Sequence, residues 1–300
     1  MAEISQVRHV ISGKVTHKVT ELSEKPVATE SSPIGMFDSG VGGLTVFEKV
    51  TKLMPRESII YLADTARVPY GGRSVSEIIK INKEIMDILL SFGVKLVIMA
   101  CGTSSSIAYP VLKDKYKIPI VGMIEGGAEM AVSATKNKKV GVIATVGTIN
   151  SLSYQKAIKS LNKEVEVYGA ACPLLVPLIE GGFAASEETE KVLKEYLKPL
   201  RAAKIDTLVL GCTHYPHLAR AITGIMGPSV TLIDPAEEAA KTARDILTRG
   251  KMTNTANVPP KHRFLVTGSA SGFKELGSRL LGKPIVNAEE ISIVKGHAGR

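Results

Sequence analysis

The chain has 300 residues, 44% of them hydrophobic, with 27 Gly, no Trp and a formal charge of +9. That is enough apolar material for a sizeable core, and for two domains rather than one, and it excludes a disordered chain. No apolar run reaches the roughly 18 residues of a membrane span, and three widely spaced Cys make no disulfide framework but fit free thiols in a reducing, cytoplasmic compartment.

Residues 1–33 mix Lys, Arg and Glu without an apolar centre, and read as an N-terminal extension rather than a secretion signal. Residues 34–37 read as a strand that runs into Asp38-Ser39-Gly40-Val41-Gly42-Gly43, with a helical pattern from Leu44. A second strand is expected at 59–62. Ser74 and Glu77 make a capping box, and Val75, Ile78, Ile79, Met86 and Leu89 give the stripe of a helix ending near Gly93. Residues 96–100 and 118–121 read as strands. The pattern then repeats, with a strand at 139–144, a helix from about 151, a strand at 165–168, a helix at 187–203 and strands at 207–210 and 230–233. A helix from 235 to about 247 follows, then a last strand and helix at 263–267 and 271–282.

This alternation predicts an α/β fold of two similar lobes, each a largely parallel sheet flanked by helices, with the active site in the cleft between them. The expected boundaries are 34–130 for the first lobe and 131–235 for the second. A return helix, final strand and helix at 236–285 would pack back on the first lobe, and 286–300 would form a C-terminal tail.

An internal similarity carries the functional reading. Leu96-Val97-Ile98-Met99-Ala100-Cys101 precedes Gly102-Thr103, and Leu208-Val209-Leu210-Gly211-Cys212 precedes Thr213. Each half thus has an apolar strand ending in Cys, with Thr one or two residues later. Ligands of open α/β sheets bind beyond the carboxyl ends of the strands, so two facing lobes would turn both thiols into one cleft. Two opposed thiols suit racemisation at an α-carbon, which needs a proton taken from one face and delivered to the other. A Cys pKa, near 8.5 when free, can be tuned toward working pH, as proton transfer requires. Cys172, in Ala171-Cys172-Pro173, lacks this context and reads as structural.

Around the thiols stand further candidates. His214 follows Cys212 by two residues and can polarise a thiol or shuttle its proton. Asp38 ends the first strand, where its carboxylate can take a proton, hold an ammonium group or cap the next helix. Glu180 ends the apolar run 176–179 and either pairs with His214 or is solvated. Gly40, Gly42 and Gly43 resemble an anion-binding loop but fit neither the phosphate-loop nor the dinucleotide pattern. Thr103, Ser104, Thr145, Thr148 and Thr213 bring hydroxyls to the same rim, suited to a small zwitterion. No metal is expected, because His214 and His217 lack further ligands at a telling spacing. The positive charge draws anions without choosing among them. With no zinc-finger spacing and no basic stripe interleaved with aromatics, a dedicated nucleic-acid binder is not expected.

These segments resemble the aspartate/glutamate racemase family, and within it the glutamate racemases of the bacterial cell-wall pathway. The resemblance runs from residue 34 to about 282. It rests on Phe37-Asp38-Ser39-Gly40-Val41-Gly42-Gly43-Leu44, on Ala63-Asp64-Thr65 through Pro69-Tyr70-Gly71, and on the Cys101 segment. It continues through Ala144-Thr145-Val146-Gly147-Thr148, Cys172-Pro173 through Glu180, Leu210-Gly211-Cys212-Thr213-His214-Tyr215-Pro216, and Phe273-Lys274-Glu275-Leu276-Gly277. It implies interconversion of L- and D-glutamate without cofactor or metal, for peptidoglycan, by a homodimer. By that resemblance Cys101 takes the α-proton from D-glutamate and Cys212 takes it from L-glutamate. Asp38 and His214 assist the respective thiols, and Glu180 supports His214. Ser39, Tyr70, Gly71, Thr103, Thr145, Thr148 and Thr213 match substrate-contact positions, and Gly102 stands at one more.

Three positions depart from the family pattern. Gly102 stands where the family has Asn after the first Cys, Ala63 where it often has Gly, and Glu125 where it often has Pro. A lost hydrogen bond at 102 would cost about 0.5–1.5 kcal/mol of binding. Glu125 adds a carboxylate expected near the rim. Three other readings stay open at this point. One is a racemase of another acidic amino acid such as aspartate. Another is a catalytically weak paralogue with a binding or regulatory role. The last is a thiol hydrolase with Cys101 as nucleophile, which would leave the twin Cys212 motif unexplained.

Overall fold

The computed structural model of the chain describes residues 28–293 and two short strands, Val10–Ile11 and Lys14–Val15, which pair antiparallel. Most of the expected N-terminal extension and the last seven residues of the expected tail lie outside the described residues. Among the described residues ten further strands form two sheets. β1 (Ile34–Asp38), β2 (Ile59–Ala63), β3 (Leu96–Met99), β4 (Ile120–Val121), β9 (Arg263–Val266) and β10 (Glu289–Glu290) make the first, in the order β10-β9-β2-β1-β3-β4. β5 (Lys139–Ala144), β6 (Glu166–Ala171), β7 (Thr207–Leu210) and β8 (Thr231–Ile233) make the second, in the order β8-β7-β5-β6. Every pairing within these two sheets is parallel.

The apolar runs alternate between two cores because strand side chains alternate between faces. Ile34 and Met36 of β1, Ile59 and Tyr61 of β2, and Leu96 and Ile98 of β3 pack into one cluster with the helices Leu44–Leu53, Pro235–Arg249 and Ala270–Leu281. Phe37, Ile60, Leu62, Val97 and Met99 enter the other, against Val75–Ser91. Cys101 continues the parity of 97 and 99 and lies in that second cluster. In the other sheet Leu208, Leu210 and Cys212 likewise share a cluster, while Val209 faces the opposite core. Helix Pro235–Arg249 buries Ala236, Ala239, Ala240, Ala243 and Leu247, an apolar stripe at helical spacing made mostly of small residues.

Several elements differ from expectation. The helix expected from 151 is two helices, Val146–Ser151 and Ser153–Leu161, broken where Leu152 takes a left-handed conformation at φ 58°. The strand expected at 118–121 is only Ile120–Val121, and the one expected at 165–168 runs on to Ala171. Helices Gly102–Ile107 and Ile124–Ala134 were not expected, since Gly and Ser have low helix propensity and here packing overrides it. Part of the expected tail, Glu289–Glu290, joins the first sheet as its edge strand.

Candidate active site

Strand order fixes where a site can form. In the first sheet β1 has β2 on one side and β3 on the other, so the chain reverses direction of travel between β1 and β3. In the second sheet the same reversal lies between β5 and β7. Crevices open at the carboxyl ends of strands at such points. Asp38 ends β1, Cys101 follows β3, Thr145 follows β5 and Cys212 follows β7. All four candidates therefore stand at the two reversal points.

The two crevices meet along one seam. The Gly147 N–H donates to the Gly71 carbonyl at 2.9 Å. The hydroxyls of Thr103 and Thr145 are 2.9 Å apart, and Thr45 Oγ1 donates to the Thr213 carbonyl at 3.0 Å. Thr145 caps its helix by accepting from the Thr148 N–H, and its hydroxyl also meets Thr148 Oγ1 at 3.0 Å. A cavity of about 10 Å³ on the seam is lined by residues including Thr45, Gly102, Gly211, Cys212 and Asp234. Its walls include the turn after β3, at Ala100 and Gly102, and the end of β7 with the turn after it, from Leu210 to Thr213.

The surroundings of the two thiols differ. Cys101 is buried, and its sulfur lies 3.9 Å from Ser39 Oγ. Burial pushes its thiol up to about 11, aided by the Asp38 carboxylate and opposed by the Ser104 N–H and hydroxyl. Asp38 is itself buried. Its carboxyl is raised above its ordinary value by burial, against the pull of His214 and of the Gly40 and Gly43 N–H groups. One oxygen accepts from the Gly40 N–H at 3.0 Å, and Oδ1 is a buried acceptor without a hydrogen-bond partner. On the other side His214 bridges Cys212 and Glu180. Its Nδ1 lies 3.8 Å from Cys212 Sγ, and its Nε2 lies 2.9 Å from Glu180 Oε1. Burial disfavours the imidazolium, but hydrogen bonds to Cys212 and Glu180 outweigh it and push His214 up to about 10. The two thiols thus have unlike neighbours, a buried carboxylate on one side and an imidazole held by a carboxylate on the other.

Every expected site residue stands at this seam or beside a group that does. Glu180 is the last residue of helix Leu175–Glu180, and Arg279 of the C-terminal helix donates to its carbonyl. Tyr70 is an exception in detail: its hydroxyl donates to Asp64 at 2.5 Å, so its phenol is already committed. Asp64 carries no role in the sequence reading, although it lies inside a quoted motif. It is fully buried and also accepts from Arg67 Nε at 2.7 Å and Thr267 Oγ1 at 2.8 Å, anchoring the segment that ends in Gly71. Glu125 is exposed in the first turn of helix Ile124–Ala134; partial burial raises its carboxyl, and the charges acting on it are Lys113 and Glu129. Among the described residues no group of three His, Cys, Asp or Glu is placed to hold a metal ion.

The sequence model for the Asp/Glu/Hydantoin racemase family matches residues 34–243, spanning both reversal points. The chain belongs to this family. It is 44% identical over 260 residues to a glutamate racemase of Geobacter metallireducens, covering 87% of this chain and 96% of that protein. A glutamate racemase isoform from Bacillus anthracis superposes with a TM-score of 0.83 at 39% identity, covering 89% of this chain and 98% of that one. The glutamate racemase of Francisella tularensis, solved in complex with D-glutamate, gives a TM-score of 0.83 at 38% identity, with coverages of 88% and 98%. The two-lobed parallel architecture is thus that of the family's solved glutamate racemases.

Proposed function

We propose that this chain interconverts L- and D-glutamate by a two-thiol proton transfer at the α-carbon, supplying D-glutamate for peptidoglycan. The observation that carries the reading is the placement of two matched Cys at the reversal points of the two sheets, with Ser39 beside Cys101 and His214, clamped by Glu180, beside Cys212. Cys212, as thiolate, takes the α-proton of L-glutamate. The electron pair of the C–H bond passes to the α-carbon and its carboxylate, and Cys101 gives its proton to the opposite face. In reverse, Cys101 is the base toward D-glutamate, with buried Asp38 beside it to accept charge or proton. Ser39, Gly71, Gly102, Thr103, Thr145, Thr148 and Thr213 supply the hydroxyls and backbone groups that orient the zwitterion, while Tyr70, its hydroxyl held by Asp64, belongs to the same apolar cluster as Cys101. This chemistry calls for no cofactor and no metal. A homodimer in the cytoplasm goes with the reading; among the described residues no helix is long and apolar enough to cross a membrane.

The test is α-proton exchange in D2O, followed by NMR and circular dichroism, on both enantiomers of glutamate with aspartate in parallel. Loss of optical activity with α-deuteration on glutamate, abolished by Cys101→Ser and by Cys212→Ser, is the expected result. Turnover of aspartate alone would move the substrate. Turnover of neither would leave a family member with a binding role.

A further inference from the structure

Two-thiol chemistry leaves the formal charge of +9 unaccounted for. The strands of the second sheet run parallel with their carboxyl ends at the seam, so the turns at their amino ends lie on the far side of that lobe. The turns that lead into β5, β6 and β7 carry Lys136 and Lys138, Lys163, and Lys204. They are neighbours in space. The Asn137 side chain donates to the Lys204 carbonyl at 2.8 Å, and the Glu166 N–H donates to the Lys138 carbonyl at 2.7 Å. The Lys159 ammonium donates to the Lys163 carbonyl at 2.9 Å. Lys159 and Arg201 add charge from the last turns of helices Ser153–Leu161 and Glu187–Ala202. The carboxylates in their midst are already engaged: Asp206 accepts from the Thr135 hydroxyl and from the N–H groups of Lys136 and Asn137, Glu164 pairs with Lys138, and Glu166 accepts from the Tyr168 hydroxyl. Lys138 and Lys204 take left-handed φ values of 63° and 56°, where Gly or Asn costs least, so turn geometry does not call for lysine there. Leu161, which ends helix Ser153–Leu161 between Lys159 and Lys163 in the chain, is 49% exposed.

We propose that this face is a docking surface for a membrane of anionic lipid, which the protein meets peripherally with its cleft turned away. A spread of lysines fits a plane of negatively charged headgroups, and each lysine near such a surface strengthens binding about fivefold. Leu161 decides between anionic lipid and nucleic acid. An outward leucine among lysines enters the headgroup boundary and leaves water, which is worth about tenfold. A phosphate backbone offers it nothing comparable. The turns into β5, β6, β7 and β8 also hold no aromatic residue on which bases would stack. β5 and β6 are each six residues long, about 20 Å at the rise of a strand, and that length separates the lysines from the seam. Docking here therefore leaves the cleft open, and the inference stands whichever amino acid the cleft takes.

The experiment sediments the full chain with vesicles of two parts phosphatidylcholine to one part phosphatidylserine, with vesicles of phosphatidylcholine alone and a short DNA duplex in parallel. Binding to the anionic vesicles is expected, with none to the neutral ones, and it should fade as salt rises from about 0.05 to about 0.5 M. Lys136→Gln, Lys163→Gln and Lys204→Asn together remove three exposed charges, and Asn suits the left-handed turn at 204. This triple variant should bind the anionic vesicles about 100-fold more weakly, and Leu161→Ser alone about tenfold more weakly. Lys80→Gln, Lys83→Gln and Lys115→Gln remove the same charge from exposed positions of the first lobe and should weaken binding by less than about threefold. Circular dichroism checks that each variant is folded. Absence of wild-type binding to the anionic vesicles would overturn the inference. So would equal losses in the two triple variants, which would make net charge and not this face responsible. DNA held more tightly than the anionic vesicles, with no effect of Leu161→Ser, would overturn it in favour of a nucleic-acid surface.

Discussion

Replacing Lys95 by Met should cost this protein about 3–5 kcal/mol of stability, because it breaks a fully buried ion pair by removing one partner. Lys95 lies just before β3, the strand that leads to Cys101. Its side chain has no exposure, and its ammonium lies 2.7 Å from Glu57 Oε2, whose own side chain is 1% exposed. The same ammonium donates to the carbonyls of Glu30 at 2.5 Å and Met252 at 2.8 Å. Glu57 Oε1 accepts from the Asn254 N–H at 2.8 Å. Methionine keeps the length of the stem and loses the charge. Among the described residues the Glu57 carboxylate is left with the Asn254 N–H as its hydrogen-bond partner, and the Glu30 and Met252 carbonyls lose their donor. In a domain of 150–250 residues each kcal/mol moves Tm by about 2–4 °C, so the melting point should fall by about 6–20 °C. Urea denaturation at pH 7 followed by circular dichroism gives the free energy directly. The double variant Lys95→Met with Glu57→Leu should recover most of the loss, since an apolar pair of similar volume removes both desolvation penalties together. A single-variant cost below about 1 kcal/mol, or a double variant no better than the single, would refute this reasoning. Activity of the folded single variant should be unchanged, because the pair lies away from the seam.

The remaining predictions concern the site and one helix. His214 holds its proton well above its ordinary 6.5, so its contribution to stability is complete below about pH 6.5 and is lost as pH rises through about 10. kcat/KM should fall over the same alkaline range, equally for L- and D-glutamate, since the enantiomers have the same free energy in water. Glu180→Gln removes one of the groups that raise His214, so a pH–rate profile should show the alkaline fall moved to lower pH; an unmoved limb would remove Glu180 from that role. Ser186→Ala deletes the side-chain cap of helix Glu187–Ala202, which accepts from the Thr189 N–H at 3.1 Å. It should cost about 1 kcal/mol in urea denaturation without changing turnover.

Local patterns carried much of this structure. The period-two parity that sends Val97 and Met99 into one core also carries Cys101 there, and Leu208 and Leu210 do the same for Cys212. Both thiols were therefore legible as ends of apolar strands in matched contexts. The Ser74–Glu77 capping box started its helix where the spacing put it, because a cap is a contact between neighbours in sequence. Helix Ile124–Ala134 was not legible: Gly126 and Gly127 weaken it locally, and they are small where Glu238 and Pro235 pack against them.

What the tertiary structure alone decided are relations between residues far apart in sequence, for which no local signal exists. The His214–Glu180 pair spans 34 residues and the Asp64–Thr267 bond spans 203, so neither can be read from spacing. The order of strands in each sheet is of the same kind, and it is this order that sets the reversal points beneath the two thiols. Sequence by itself determined that position 102 carries no side chain. Only the packing of one sheet end against the other shows what that emptiness accommodates, the Gly211 carbonyl, because the distance between two main chains depends on how the lobes close and not on either segment alone.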